Sequence, residues 1–126
     1  MGIEQPYGDE PAEASSFIVK ETVELDGRAS DTATPTFEYW EFDVDARSTH
    51  RGRAIDRSDG TINLRILEHD ELEYLLQGDR YWVVAESATG TSVELNENLT
   101  PGSYALVVES SGEREETVTV EFWRHE

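Results

Sequence analysis

Four of the nine arginines in the chain fall within eleven residues, at Arg47, Arg51, Arg53 and Arg57. A guanidinium is planar and permanently charged, and it can hold a carboxylate or phosphate through two parallel hydrogen bonds. Side chains of one parity on a β-strand point to the same face, about 6.6–7 Å apart. The odd spacing therefore predicts a row of guanidinium groups on the outer face of a strand, where they can bind an anionic group.

A following strand is expected to add another arginine to this row. Residues 58–60 suit a three-residue hairpin loop with Gly60 in the left-handed conformation, and that register places Arg53 beside Arg65 and Ala54 beside Leu64. Like charges directly opposite each other are destabilising, so an anionic group is expected between the two arginines. Neighbouring carboxylates or an acidic partner can supply it. The candidate carboxylates are Glu41, Asp43 and Asp45.

Aromatic side chains form a second candidate contact surface. The parity of Tyr39, Trp82 and Trp123 opposes that of their apolar neighbours, which favours rings that point outward. Exposed Trp and Tyr rings stack on sugar rings or anchor protein interfaces. The alternative for Trp123 is that it covers a sheet edge or packs against the N-terminal segment.

Residue patterns typical of catalysis or metal binding are missing from the sequence. The three histidines are far apart, and His69 is expected to be solvated near a helix start. Residues 56–60 lack the alternating ligands and the bidentate Glu of a calcium loop, so they are interpreted as a turn. There is no Gly-x-Ser-x-Gly elbow and no Gly-rich phosphate loop. We therefore predict no catalytic residue, no metal and no cofactor.

Alternating apolar and polar residues predict that strands position these side chains. The clearest strand is 37–45, where Trp40, Phe42 and Val44 alternate with acidic residues. Short strands separated by turn signals favour an all-β fold, an antiparallel, jelly-roll-like β-sandwich. The other strand candidates are residues 16–25, 61–67, 81–85, 91–97, 104–108 and 117–122.

One helix signal interrupts the strands. Asp70 and Glu73 fit a capping box, a short leucine stripe follows, and Gly78 is placed to end the helix. The sequence therefore predicts one short helix near residues 70–77.

The charge balance is extreme, with one lysine, Lys20, against 28 acidic residues and a net charge of −18. Such charge destabilises a compact fold by self-repulsion in dilute salt, whereas at 1 M salt the Debye length falls to about 3 Å. The composition predicts adaptation to concentrated salt and resembles that of haloarchaeal proteins. It also excludes nucleic acid as a partner, because phosphate groups would be repelled.

The length of 126 residues fits one domain. Residues 1–16 are predicted to be a flexible acidic tail, and residues 17–126 a single β-sandwich domain. No apolar run approaches the ~20 residues of a membrane span, and the N-terminus lacks the features of a secretory signal. The absence of cysteine excludes disulfides and thiolate metal sites, and it leaves the compartment open.

The stretch from Ile62 to Trp123 resembles two groups of β-sandwich modules. An apolar strand at 62–67 runs into a short acidic helix, and the turn Leu99-Thr100-Pro101-Gly102-Ser103-Tyr104 later feeds an alternating strand. This order resembles the GOLD/emp24-like sandwiches and the prokaryotic pre-peptidase C-terminal-like modules. The resemblance implies a non-catalytic accessory or interaction module, often outside the cell, and transfers no binding residue.

These observations lead to one functional hypothesis and two alternatives. The chain is expected to be a non-catalytic interaction module of a halophile, with a protein as its main candidate partner and a carbohydrate as the second. The alternatives are a structural subunit of a surface or viral assembly, which pairs through sheet edges, and a small hydrolase with unidentified acidic residues. The predicted partner-binding residues are Arg47, Arg51, Arg53, Arg65 and Trp123.

Overall fold

Eight β-strands form two antiparallel sheets in the computed structural model, which describes residues 17–25, 36–110 and 115–125. The strands are β1 Phe17–Leu25, β2 Thr36–Val44, β3 Ser48–Asp56, β4 Ile62–Glu68, β5 Ala85–Glu86, β6 Ser92–Leu99, β7 Gly102–Ser110 and β8 Glu116–His125. Sheet A has the order β1-β8-β3-β6, and sheet B has the order β2-β7-β4-β5. The predicted β-sandwich is confirmed, while the predicted acidic tail lies outside the described residues.

The alternating apolar residues of both sheets form the core between them. Phe122 is fully buried, and its ring meets the edge of Phe42 with centroids 4.9 Å apart. Along β3 from His50 to Asp56, the even positions are buried and the odd positions are half-buried, while Ser48 at the start is also half-buried. Gly52 and Ala54 therefore face inward, and Arg51 and Arg53 lie on the outer face, as their odd spacing predicts.

The turn from β6 to β7 crosses from sheet A to sheet B. Tyr104, at the start of β7, is buried and stacks on Phe42 at a centroid distance of 5.7 Å. Its hydroxyl donates a hydrogen bond to the backbone oxygen of Thr100 at 2.7 Å. A buried tyrosine that bonds back to the preceding backbone fastens such a crossing, which gives a physical reason for the Pro-Gly-x-Tyr pattern.

A short helix, α1 (Leu72–Gln77), covers the outer face of sheet B and confirms the predicted helix near residues 70–77. Leu72 and Leu75 pack in a small cluster with residues of β4 and β7. Gly78 ends the helix with φ of 80°. The predicted capping box is wrong, because a 3₁₀ turn at His69–Glu71 precedes the helix and no side chain caps either start. No helix in the described segments is long and apolar enough to cross a membrane.

The predicted hairpin between β3 and β4 is wrong. β3 pairs with β6 and β8 in sheet A, while β4 pairs with β5 and β7 in sheet B. Arg53 therefore does not lie beside Arg65, and Ala54 does not pair with Leu64. Both strands bury their apolar residues in the shared core. Alternation alone does not distinguish two strands in one sheet from two strands that face each other.

The loop between β3 and β4 closes over two buried carboxylates. The left-handed residue is Asp59, with φ of 65°, so the predicted left-handed Gly60 is wrong. A Cβ atom on Gly60 would lie 2.0 Å from Glu116 Oε2 and 2.7 Å from Asp56 Oδ2. Gly60 is therefore needed for close approach. Asp56 Oδ1 accepts a hydrogen bond from the Ser58 N–H at 2.8 Å, which fastens the turn.

His50 is the buried histidine of β3, and it faces the core. Its ring lies 5.8 Å from the Phe42 ring and 5.7 Å from the Phe122 ring, measured between centroids. Burial lowers the pKa of His50 below its ordinary value of 6.5; the Ser48 carbonyl opposes this shift, and Arg124 adds to it. The imidazole is therefore a neutral core side chain at neutral pH.

This burial predicts a pH dependence of stability. As pH falls below 6.5, the unfolded chain protonates His50 while the folded chain does not, because the folded pKa is lower. The free energy of unfolding should therefore fall from neutral pH downward, and this contribution should level off below the folded pKa. Denaturant unfolding of wild type and His50→Leu across this range measures it. A wild type and variant with parallel pH profiles would contradict the prediction.

Candidate binding surface

The outer face of sheet A brings together three of the five predicted binding residues. Arg51 on β3 lies opposite Trp123 on β8 and opposite Asn96 on β6. Arg53 lies in the next cross-strand row. Neighbouring rows on one face of a sheet are close enough for long side chains to interact. The three predicted residues therefore form one surface.

The row of Arg53 is a ladder of alternating charge. It runs from Lys20 on β1 through Glu121 on β8 and Arg53 on β3 to Glu94 on β6. The Nε and Nη2 atoms of Arg53 lie 2.6 and 2.5 Å from Glu121 Oε1. Opposite charges in adjacent strands stabilise a sheet. Part of the arginine charge is therefore neutralised within the sheet, as the carboxylate interpretation expects.

Trp123 lies on the outer face, as its parity predicts, but it is only 2% exposed, which agrees with the alternative that the ring is packed rather than exposed. The Phe17 ring packs edge-on at a centroid distance of 5.9 Å, and the Arg53 guanidinium carbon lies 5.6 Å from the indole centroid. Long and aromatic neighbours thus cover the ring. Within the described segments, its buried Nε1–H has no hydrogen-bond acceptor.

Arg51, Arg53 and Trp123 line a concavity of about 320 Å³. Glu94 and Asn96 of β6 line its other side. β6 is an edge strand of sheet A, so the concavity opens beside a sheet edge. The guanidinium groups of β3 are hydrogen-bond donors, while Glu94 and Asn96 of β6 bring acceptor oxygens.

Arg65, predicted for the same surface, lies on the outer face of sheet B. Its Nε lies 2.8 Å from Glu86 Oε2 and its Nη1 lies 2.7 Å from Glu109 Oε1. Nη1 also donates a hydrogen bond to the Tyr81 hydroxyl. Burial raises the pKa of Glu109 while Arg65 opposes the shift. Arg65 therefore binds neighbouring side chains of sheet B and lies in the sheet opposite the concavity.

The carboxylates expected beside the arginines have other contacts. Glu41 Oε2 lies 2.5 Å from His69 Nε2, and Asp43 accepts a hydrogen bond from the Ser103 hydroxyl at 2.7 Å. Arg47 is exposed between β2 and β3 and does not line the concavity. Sequence reasoning missed Glu94, Asn96 and Glu121, because their proximity depends on the pairing of β3 with β6 and β8.

The outward direction predicted for Trp82 is confirmed, because this residue is 81% exposed. Tyr39 is half-buried and packs against the cluster under α1. Across residues 17–25, 36–110 and 115–125, no group of three or more His, Asp and Glu side chains is placed to hold a metal ion.

Comparisons with known proteins find similarity among solved structures only. No protein-family model matches the chain, and a search of curated proteins gives no match either. Among solved structures, the pre-peptidase C-terminal domain of a Bacillus anthracis collagenase is similar, with a TM-score of 0.57 and 16% identity. The alignment covers 82% of this chain and 89% of that domain.

Two carbohydrate-binding modules also align. The C-terminal CBM6 of a laminarinase from Zobellia galactanivorans has a TM-score of 0.45 and 14% identity over 88% of this chain and 95% of that one. A CBM6 from a Cellvibrio mixtus lichenase, solved with cellotriose, has a TM-score of 0.39 and 9% identity. That alignment covers 90% of this chain and 95% of that module. The collagenase domain supports the predicted pre-peptidase C-terminal-like fold. The GOLD resemblance and the haloarchaeal composition stay predictions.

Proposed function

We propose that this chain is a non-catalytic binding module and that the outer face of sheet A contacts a protein partner through a carboxylate of that partner. The observation that carries the proposal is the concavity where Arg51, Arg53 and Trp123 converge. Its binding residues are Arg51, Arg53 and Trp123, with Glu94 and Asn96 at the rim. Arg65 and Arg47 are not part of this proposed site.

The chemistry of the concavity favours an acceptor-bearing ligand. Two of its lining residues, Arg51 and Arg53, carry guanidinium donors. A partner carboxylate in the concavity can accept two parallel hydrogen bonds from an arginine guanidinium that lines it, which adds bidentate geometry to the contact.

Short contacts of this kind also suit the proposed high-salt environment. Concentrated salt screens attraction between distant charges, with a Debye length of about 3 Å at 1 M. Hydrogen bonds made in a partly buried concavity are screened much less. Recognition by contact geometry therefore fits a halophilic protein better than recognition by net charge.

The geometry gives the hydrolase alternative no support. Among the described residues, Asp56 and Glu116 bring two carboxylates together at the backbone of Gly60, and each residue is 2% exposed. Neither lines the concavity of sheet A. A pair of catalytic carboxylates must reach a substrate, and these two are closed to solvent.

The proposal predicts that a charge reversal at Arg51 removes partner binding. Affinity capture from a high-salt archaeal lysate, with wild type, Arg51→Glu and Arg57→Glu as baits, tests it. Arg57 is the matched control, because it follows β3, is exposed and does not line the concavity. The partner should be captured by wild type and Arg57→Glu and reduced about tenfold or more with Arg51→Glu. Equal capture by all three folded baits would overturn the proposed surface.

A further inference from the structure

A second surface, on the opposite side of the sandwich from the Arg51 concavity, exposes aromatic rings. Trp82 is 81% exposed and Tyr74 is 46% exposed. Together with Tyr81, Glu71 and Arg80 they line a concavity of about 550 Å³. Small-molecule sites have volumes of about 300–1,000 Å³ and combine aromatic walls with a few polar groups. The size and lining of this concavity fit that description.

Hydrogen bonds hold the loop that carries Trp82 at residues 81, 82 and 84. The Trp82 N–H donates to Glu71 Oε1 at 2.9 Å, and the Val84 N–H donates to the Ile66 carbonyl at 2.7 Å. The Tyr81 hydroxyl accepts a hydrogen bond from Arg65. When the backbone is already held, a ligand that binds the ring has to order only the side-chain torsion angles. The backbone that carries Trp82 is therefore fixed before a ligand binds.

The polar groups around the rings are balanced in charge. Glu71 and Arg80 bring one negative and one positive charge to the lining of a molecule with a net charge of −18. A carboxylate accepts hydrogen bonds, a guanidinium donates them, and a tyrosine hydroxyl does both. Hydroxyl-rich, uncharged ligands match such a mixed set, while an anionic ligand meets a carboxylate beside the rings.

We propose that Tyr74 and Trp82 form a stacking platform for a neutral carbohydrate, with Glu71 and Arg80 bonding its hydroxyl groups. A sugar ring presents an apolar C–H face to an aromatic ring and hydroxyl groups at its edge. Stacking and direct hydrogen bonds persist in concentrated salt, which screens long-range charge attraction. This site is separate from the proposed protein-binding surface, so either one can fail without the other.

A protein partner fits this concavity less well. A standard protein interface buries about 800 Å² on each partner and involves about 20–30 residues a side. Five residues line the concavity, and the rings of Tyr74 and Trp82 stand beside charged groups. The volume of about 550 Å³ and the five lining residues suit a ligand the size of a short oligosaccharide.

Tryptophan fluorescence tests the proposal in the intact chain. Trp82 is exposed, Trp40 is half-buried and Trp123 is buried, so acrylamide should quench Trp82 preferentially. We expect at least one member of a panel of neutral oligosaccharides of glucose, mannose, galactose or xylose to protect this fluorescence. An acidic oligogalacturonate is expected to give no protection.

Substitutions in and beside the concavity test where the sugar binds. Trp82→Ala and Tyr74→Ala should each weaken the sugar affinity about tenfold or more, and Trp82→Phe should retain part of it. Leu76→Ala is the matched control, because Leu76 is 52% exposed on the same helix and does not line the concavity. For the alanine variant at position 82, calorimetry replaces fluorescence.

Three results would overturn the proposal. The first is that no neutral sugar of the panel protects the fluorescence at millimolar concentration. The second is that Trp82→Ala binds the sugar as tightly as wild type, or that Arg51→Glu abolishes the binding instead. The third is self-association of the wild type that Trp82→Ala removes, since the rings would then contact a second copy of the chain.

Discussion

At an ionic strength of about 0.01 M, the protein is expected to lose its cooperative fold and to regain it on addition of KCl to about 1 M. The 28 acidic residues give a net charge of −18 on 126 residues, with Lys20 as the one lysine. The Debye length falls from about 30 Å to about 3 Å between these two conditions. Repulsion between carboxylates across the molecule therefore acts in dilute salt and is screened in concentrated salt.

Circular dichroism with denaturant unfolding at a series of KCl concentrations measures the effect. A triple variant, Glu24→Gln, Glu38→Gln and Glu68→Gln, removes three exposed carboxylates and serves as the comparison. The variant should need less KCl than wild type to fold. A wild type that stays folded, with an unchanged free energy of unfolding after dialysis against dilute buffer, would contradict adaptation to salt.

Trp123→Ala is expected to destabilise the fold by about 3–5 kcal/mol in about 1 M KCl, the usual cost of removing a buried tryptophan. The indole is 2% exposed, and Phe17 and the Arg53 guanidinium pack against it. Its loss leaves a cavity on the outer face of sheet A and removes the contact that holds Arg53. Thermal and denaturant unfolding measure the change.

The same substitution at Trp82 is the matched control for this prediction. Trp82 is 81% exposed, and exposed substitutions usually change stability by less than about 0.5 kcal/mol. Trp123→Phe should retain most of the packing and also remove the buried N–H without an acceptor. Equal, small losses at positions 82 and 123 would show that the indole of Trp123 is not a structural part of the surface.

The sequence was sufficient to predict most of the strands, because alternation indicates which face of a strand is apolar. Trp40, Phe42 and Val44 defined β2, and the same parity continued into β3, where the odd positions carry Arg51 and Arg53. The short helix also followed from local signals, since Gly78 ends it in the left-handed conformation.

The alternation of apolar residues could not predict which strands pair with each other. β3 and β4 both alternate, and packing across the core satisfies their apolar residues as well as pairing does. Arg51 on β3 lies opposite Trp123 on β8. Because these strands are distant in sequence, no local spacing of residues predicts that the two side chains are neighbours. With 28 carboxylates available, nothing in the composition selects Glu121 for Arg53 or Glu86 and Glu109 for Arg65.

The predicted strand over residues 81–85 shows how tertiary contacts override a local pattern. The structure has only Ala85–Glu86 as strand there. Tyr81 instead packs at the Arg65 guanidinium, 5.9 Å from ring centroid to guanidinium carbon, and Glu71 binds the backbone of Trp82. These contacts hold residues 81 and 82 outside the sheet.

Photo-crosslinking from Asn96 tests the central claim most directly, that the outer face of sheet A holds a protein partner. Asn96 is exposed and lines the Arg51 concavity, whereas Glu38 is exposed on β2 of the other sheet. A photoreactive residue at position 96 should crosslink the captured partner in concentrated salt, and one at position 38 should not. Crosslinks from position 38 alone, or equally from both positions, would contradict the account.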